Sequence, residues 1–538
     1  MVIHHGALRT PPAALLQYFQ RRHAPKTVEP AWGEPLDRER DLSAIDRAYR
    51  CRADVRTDAA ADRTWRDLSL GEVFCRVDRC LTSIGQEMLY RRLREPTAVP
   101  AEISDLQRSV AAFRENTVLR DKTAKALRPL AQNQAPSLAP LLYGRPPDDP
   151  AGSRIFPLVT VATIVATLAS FVWPFAIFGV ISCVVGSIAV RVHTHGMLTA
   201  HGAQLASLTS LVRAAENLLA IESLALRPEL SVIRGALAEI QGARASMSWL
   251  AADLPRMNEI AAMLLTYLNV FLLVDVHAFV HSLRLFRRHA PSLVALYETV
   301  GGLDAARSVA SFRTGTITVS PSFEAPGSAI AADGLTHPLV ADAVPNDVLL
   351  RPCQGWLVTG SNMSGKSTFL RAVALGAWLA QTIGCVTARS YRAPPLRIRT
   401  LIQVEDDVLR GRSHFLAEAH AAKDMLLEDA GGVDRLCVID ELFRGTNTAD
   451  RVAAGVAFLR SLAVARGGAF VVAATHDGEL LALLSEHFTP HYFQEEITTS
   501  GMTFDFRLRQ GGLAPRNAFA VLALVGFPRD VLEDMRRA

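Results

Sequence analysis

The chain has 538 residues, of which 49% are hydrophobic and 20% charged, with a formal net charge of +4. That length carries several domains, and the near balance of acids and bases, with arginine supplying nearly all the cation, excludes a strongly basic or acidic tail and says little by itself about nucleic acid. The seven cysteines (Cys51, Cys75, Cys80, Cys183, Cys353, Cys385 and Cys437) are odd in number and form no C-x-x-C pair or His-rich cluster, so they read as reduced cytoplasmic thiols rather than a disulfide frame or a zinc site.

In chain order, residues 1–60 read as a basic, partly ordered lead segment. No uninterrupted apolar h-region opens them, so no secretory signal is expected. A helical lever region is expected over 61–154 and again over 191–315. Its first firm element is a helix from Ser83 to Arg94, with apolar Ile84, Met88 and Leu89 at helical spacing. Proline and glycine mark a joint at Gln134 to Ser153.

From Ile155 to Val190 there are 36 residues without Asp, Glu, Lys, Arg or His, bracketed by Arg154 and Arg191. That length predicts two transmembrane helices joined near Trp173 and Pro174, each of about 17–18 residues, roughly 26 Å against a core of about 30 Å. Both flanking arginines would then lie on the cytoplasmic side, in an inner or cytoplasmic membrane. A buried helical hairpin in a cytoplasmic protein is the alternative.

A helix is expected over Leu208 to Arg227. Ile260 to Val274 reads as a long buried helix of the lever, since Asp275 would be costly near the centre of a span; a surface helix or further span stays open. Gly301 to Pro338 is expected to break the helical pattern, with a strand over Thr316 to Phe323.

The chemistry lies in the last part, residues 316–538, read as an α/β nucleotide-binding domain. Gly360 to Thr368, GSNMSGKST, fits G-x-x-x-x-G-K-[ST] between the strand-like Trp356 to Gly360 and the helical Phe369 to Gln381. The glycine-rich turn Gly360, Ser361, Asn362, Met363, Ser364, Gly365 faces backbone N–H groups to a phosphate; Lys366 reaches the β- and γ-phosphates, Ser367 supplies a hydroxyl to Mg²⁺, and Thr368 continues into the helix. Downstream, the apolar run Leu436 to Ile439 ends at Asp440, placed to hold Mg²⁺ through water, and at Glu441, placed to orient or deprotonate an attacking water. A third apolar run ends in His476, placed to sense the γ-phosphate. ATP and Mg²⁺ are the expected cofactors.

These residues carry a resemblance. The loop TGSNMSGKSTFLR, then GRSHFLAEA (Gly411 to Ala419), then IDELFRGTNTAD, then ATHDGEL (Ala474 to Leu480) is similar to the ATPase domain of the MutS family of DNA mismatch repair ATPases, related to the ABC superfamily. HPLV (His337 to Val340), PND (Pro345 to Asp347) and the tail Phe506 to Pro528 extend the likeness over about 335 to 530. The resemblance implies that Ser413 belongs to a signature loop completing the ATP site of the opposite subunit, hence a homodimer with composite sites, and that Arg444, Gly445 and Thr446 form the turn after the acidic pair. Two departures are Ser364, where the family usually has a second glycine, and His414, where it usually has Thr. More weakly, Trp65 to Pro96 resembles the start of the family's lever domain, matching T-x-x-G-x-x-x-L-x-x-x-L at Thr82, Gly85, Leu89 and Leu93. The roughly 65 residues before it show no folded domain that would carry an aromatic-x-glutamate wedge, as a mismatch-reading module would. The expected fold is therefore an ABC-like P-loop ATPase domain behind a helical lever with a transmembrane hairpin. Its expected action is nucleotide-driven clamping on mismatched or branched DNA near the membrane. The alternatives are a membrane-anchored mechanochemical ATPase acting on a membrane-associated protein, or a nucleotide-gated scaffold.

Overall fold

In the computed structural model the described residues are 31–36, 38–52, 58–131, 137–144, 147–241, 267, 269–361, 363–402, 414–428, 431–443, 445–464, 469–498, 501–512 and 527–528. The helical part comprises α1 (Leu42–Arg50), α2 (Ala59–Asp67), α3 (Leu70–Val77), α4 (Ser83–Arg94), α5 (Pro100–Glu115), α6 (Thr117–Ala131), α7 (Ala139–Tyr143), α8 (Phe156–Ser170), α9 (Ile177–Leu219), α10 (Arg227–Glu239), α11 (Val274–Arg288) and α12 (Ala290–Gly315).

The expected helix over Ser83 to Arg94 is α4, and its packing explains the T-x-x-G-x-x-x-L-x-x-x-L spacing. Thr82 caps it by accepting the Gly85 N–H at 2.9 Å. The fully buried Asp304 of α12 accepts hydrogen bonds from the Thr82 N–H (2.8 Å), the Thr82 hydroxyl (2.7 Å) and the Leu81 N–H (3.0 Å). A Cβ on Gly85 would stand 2.2 Å from Asp304 Oδ2, so only glycine admits this carboxylate, while Leu89 and Leu93 are wholly buried. Gly301 does the same from the other side, since a Cβ there would lie 2.6 Å from Met88 Cγ. The expected break at Gly301 is thus absent: α12 runs unbroken to Gly315, and Gly301 serves the close contact with α4 rather than a helix end.

Two more expectations shift. The helix expected over Leu208 to Arg227 belongs to α9 and ends at Leu219, and the boundary expected at Val190 falls inside that unbroken helix. Only Ser322–Phe323 of the segment expected as a strand pairs in a sheet, with an isolated bridge from Val319 to Val386. Of Ile260 to Val274, only 267 and 269–274 are described. Leu273 has φ +52, which ends one helical run before α11 begins.

Helices α8 and α9 form the hairpin, joined by a 3₁₀ turn at Pro174–Ala176. Gly179 and Gly186 of α9 face Ala166 and Val159 of α8, the small-residue contact by which apolar helices approach closely. Only Phe156 and Thr163 of α8 are buried. Phe171, Trp173 and Phe175 at the tip are 84%, 71% and 84% exposed, and Leu158, Val161, Val165 and Leu168 also face outward. The hydroxyls of Thr163 and Thr167 donate to carbonyls of their own helix, so these two side chains need no water. At the foot, Arg191 pairs with Asp275 at 2.8 Å and Arg284 with Asp149 at 2.8 Å.

The C-terminal part is built on two sheets. Strands β1 (Ser322–Phe323), β2 (Ile330–Leu335), β3 (Asn346–Leu350) and β5 (Ser390–Ala393) form the smaller, ordered β1-β5-β2-β3. The larger adds β4 (Gly355–Thr359), β6 (Leu396–Leu401), β7 (Asp434–Asp440), β8 (Ala469–Ala474), β9 (Phe488–Thr498) and β10 (Gly501–Gln510), ordered β10-β9-β4-β8-β7-β6. All its pairs are parallel except β9 with β10. Strands β4, β7 and β8 are apolar runs because both faces are covered. Around them lie α13 (Lys366–Thr382), α14 (His414–Leu427), α15 (Thr448–Val464) and α16 (Gly478–Leu483).

The two parts share one core. The Trp378 indole of α13 donates to the Leu93 carbonyl of α4 at 2.7 Å. Asp67, at the end of α2 and 1% exposed, accepts from the Thr400 hydroxyl (2.7 Å) and the Ile402 N–H (3.1 Å), while its carbonyl accepts from Arg371 of α13 at 2.9 Å.

Candidate functional site

Strand β4 ends at Thr359 and α13 starts at Lys366, so the phosphate-loop sequence occupies the C-terminal edge of the sheet, where α/β proteins bind ligands. Gly365 caps α13 with φ +104, a region that disfavours side chains. A Cβ on Gly360 would stand 2.8 Å from Ser364 Oγ and 3.0 Å from the Phe493 carbonyl. Lys366 is 4% exposed, and its ammonium donates to the carbonyls of Gly360 and Ser361, each at 2.8 Å, which holds the charge at the mouth of the turn. The Ser361 hydroxyl donates to Glu495 of β9, a partner that no local pattern announces. Met363 is 82% exposed, and the buried Ser364 hydroxyl has no partner among the described residues. Asn362 lies outside the described residues.

Strand β7 carries Asp440 to the same edge. The Ser367 hydroxyl donates to Asp440 Oδ2, and Asp440 Oδ1 is buried with no hydrogen-bond partner among the described residues. A carboxylate and a hydroxyl beside a phosphate loop, with one carboxylate oxygen buried and unmatched, are hard oxygen donors that fit Mg²⁺, which takes few protein ligands and completes its shell with water and phosphate. Glu441 follows, 8% exposed and at φ +52, its N–H donating to the Ala474 carbonyl of β8 at 3.0 Å. His476 Nδ1 stands 3.0 Å from Glu441 Oε1, so the acidic pair and the histidine, 35 residues apart in sequence, meet. Arg451 of α15 braces the histidine loop by donating twice to Asp477, at 2.8 and 2.9 Å, and these bonds hold the Asp477 carboxyl below the usual carboxylate range.

A cavity of about 630 Å³ opens over the loop, large enough for a nucleotide. Ser361, Met363, Gly365, Lys366, Ser367, Thr368 and Glu441 line the end over the loop; His337, Val340, Asn346 and Phe506 are among those lining the other. Asn346 ties β3 to β10: its amide donates to the Phe506 carbonyl at 3.0 Å and its Oδ1 accepts the Leu508 N–H at 2.7 Å. Between Phe504 and Leu508 the β9–β10 register shifts and Phe506 takes φ +53, placing its ring over Gly365. Burial, and then the Arg371 charge, push the His337 imidazole down to about 4, so it is neutral at neutral pH and accepts the Leu339 N–H through Nδ1. Sequence reading marked His337 and Asn346 through their local motifs; Phe506 appeared only as the first residue of a tail, because a bulge that aims a ring has no sequence period.

Ser413 and Arg444 lie outside the described residues, as does most of the tail after Gly512. Helix α14 begins at His414, next to Ser413, and its first turn packs on the turn after Glu441.

Residues 356–538 match the family model of MutS domain V. Among similar proteins, the DNA mismatch repair protein MutS of Natronomonas pharaonis is 34% identical over 221 residues, covering 40% of this chain and 25% of that protein. That of Haloquadratum walsbyi is 32% identical over 260 residues, 46% of this chain and 27% of the relative, and DNA mismatch repair protein MutS 2 of Haloarcula marismortui is 36% identical over 183 residues, 34% and 19%. The matched segments thus span 27% or less of these relatives.

Proposed function

We propose that this chain is a MutS-related ATPase that binds ATP and Mg²⁺ in the cavity over Gly360 to Thr368 and is held in an inner or cytoplasmic membrane by the hairpin of α8 and α9, with both soluble parts cytoplasmic. The observation that carries the reading is the meeting of Ser367, Asp440, Glu441 and His476 beside Lys366, brought from separate parts of the chain to one sheet edge. Lys366 leaves the loop carbonyls to neutralise β- and γ-phosphate charge, and the loop N–H groups and the positive end of α13 share that load. Ser367 and Asp440 would hold Mg²⁺, which supplies charge neutralisation at the phosphates. Glu441 orients the attacking water and takes its proton; His476, hydrogen-bonded to the same carboxylate, fixes its direction and senses the γ-phosphate. His337, Val340 and Phe506 offer the base a largely neutral slot. Two subunits assemble with Ser413 of the partner subunit closing each site, so that nucleotide binding clamps the dimer and hydrolysis releases it.

The contacts of Trp378 with Leu93 and of Asp67 with Thr400, Ile402 and Arg371 supply a direct route for motion from the nucleotide site into the helices that carry the hairpin. The unbroken exposed apolar surface of that hairpin favours a membrane-associated protein as the object of the motion. Action on mismatched or branched DNA is the second reading, favoured by the printed names of the relatives, whose likeness falls mainly on the ATPase part.

Glu441→Gln is expected to retain ATP while lowering turnover by on the order of 10²-fold or more. Steady-state hydrolysis by the detergent- or nanodisc-held protein, with and without duplex and branched DNA at stated salt, checks it. Wild-type turnover in the variant would remove Glu441 from its role, and saturable DNA binding that changes turnover would move the reading to DNA.

A further inference from the structure

The turn that presents Glu441 is strained. Glu441 has φ +52 and Phe443 φ +59, two non-glycine residues in the left-handed region within three positions. Each such conformation costs on the order of 1 kcal/mol or more and persists only where surrounding structure imposes it. The strand before the turn accounts for one constraint, the Glu441 N–H on the Ala474 carbonyl. The other comes from outside the sheet: Glu418, in the second turn of α14 and 3% exposed, accepts the Phe443 N–H on Oε1 at 2.5 Å. Hydrogen bonds from a backbone N–H to a buried carboxylate are among the strong ones. Two apolar contacts fix α14 against the same turn. The Phe415 and Phe443 rings meet edge to face at 6.0 Å, and Gly445 lies so near α14 that an added Cβ would stand 3.0 Å from Phe415 Cβ.

We infer that Glu418 is a positioning residue: by holding the Phe443 N–H it imposes the left-handed turn that aims the Glu441 carboxylate at its water, and it ties that turn to the helix beginning next to Ser413. The inference rests on Glu441 acting in ATP hydrolysis. It predicts that loss of the carboxylate's reach lets the turn relax toward right-handed backbone, which misdirects Glu441 without touching the phosphate loop.

The test compares Glu418→Ala, Glu418→Asp and Glu418→Gln in the full-length protein held in nanodiscs. Two readouts are taken: hydrogen exchange of the Phe443 amide without nucleotide, and kcat beside ATP affinity. Glu418→Ala is expected to expose the Phe443 amide to exchange and to lower kcat by about 10- to 100-fold, with ATP affinity within about 2-fold, the pattern of a misaimed group. Glu418→Asp keeps the buried charge but shortens its reach; it is expected to do the same, and it decides the matter if the alanine variant does not fold. Glu418→Gln keeps an acceptor of the same length and is expected to recover most of the protection and turnover. An unchanged Phe443 amide in the Ala or Asp variant, or a deprotected amide with wild-type kcat, overturns the inference. A wild-type protein that does not hydrolyse ATP removes the hydrolysis reading instead, and the exchange of Phe443 still reports whether Glu418 holds the turn.

Discussion

Helices α8 and α13 are alike as strings, 15 and 17 residues dominated by Ala, Leu, Val, Thr and Phe, and opposite in surroundings. In α13 the run from Ala372 to Thr382 is buried without interruption, against the sheets on one side and α4 on the other. In α8 only Phe156 and Thr163 are buried, and the apolar face is open along its length. An apolar helix is favoured where water is kept from it; α13 is covered by the protein, whereas α8 and the hairpin part of α9 leave their apolar side chains exposed. The Pro174–Leu198 stretch is long and apolar enough to cross a membrane, by length and composition. The hairpin's geometry sharpens the contrast, because its tip is aromatic and its foot carries the ion pairs Arg191–Asp275 and Arg284–Asp149.

The largest expected effect breaks that contrast by charge. The pair Ile164→Arg and Val185→Arg, both at exposed positions, is expected to cost about 2.5–3.5 kcal/mol per charge at mid-span and to move the protein out of the membrane fraction in vesicle flotation, while ATP binding survives. Flotation equal to wild type would return the hairpin to a soluble role. A smaller effect sharpens the other side: if the helical part is packed to atomic contact as α13 is, Gly85→Ala must displace Asp304 and lower stability by about 1–3 kcal/mol, read from the urea midpoint. An unchanged midpoint would show that α4 and α12 slide apart freely.

The smallest effect appears only as a pH trend. Glu87 of α4 accepts the Tyr297 hydroxyl of α12, and burial pushes its carboxyl from 4.5 up to about 7. Between those values the folded protein keeps a proton that the unfolded chain gives up, so this contribution is present below about 4.5 and is lost as pH rises toward 7. The melting temperature of wild type relative to Glu87→Gln is therefore expected to fall over that interval. A difference that does not vary with pH would mean that this part of the helical core is wet.

Much of the site was legible because its chemistry is local. Gly360 to Thr368 must be contiguous to wrap a phosphate, and Asp440 and Glu441 must follow a buried strand to reach the sheet edge. The structure brings them together, with His476, as those local arguments anticipate. What escaped was held by distant partners. Glu495 on Ser361, Glu418 on Phe443 and Phe506 over Gly365 depend on register and helix docking, which leave no period in the sequence. The same cause misdirected the reading of Gly301, where a glycine suited to a close helix crossing looked like a helix breaker.

By itself, then, the sequence determined the phosphate-loop pattern, the acidic strand end, the α4 helix and the 36-residue uncharged stretch, since each follows from residue types at short spacing. Only the tertiary structure decided that Asp304 needs Gly85, that α13 and α4 share a core, that α9 runs unbroken out of the hairpin, and that a strained turn presents Glu441. Those are outcomes of which surfaces meet, and side chains far apart in the chain reveal that only when packing has excluded water between them.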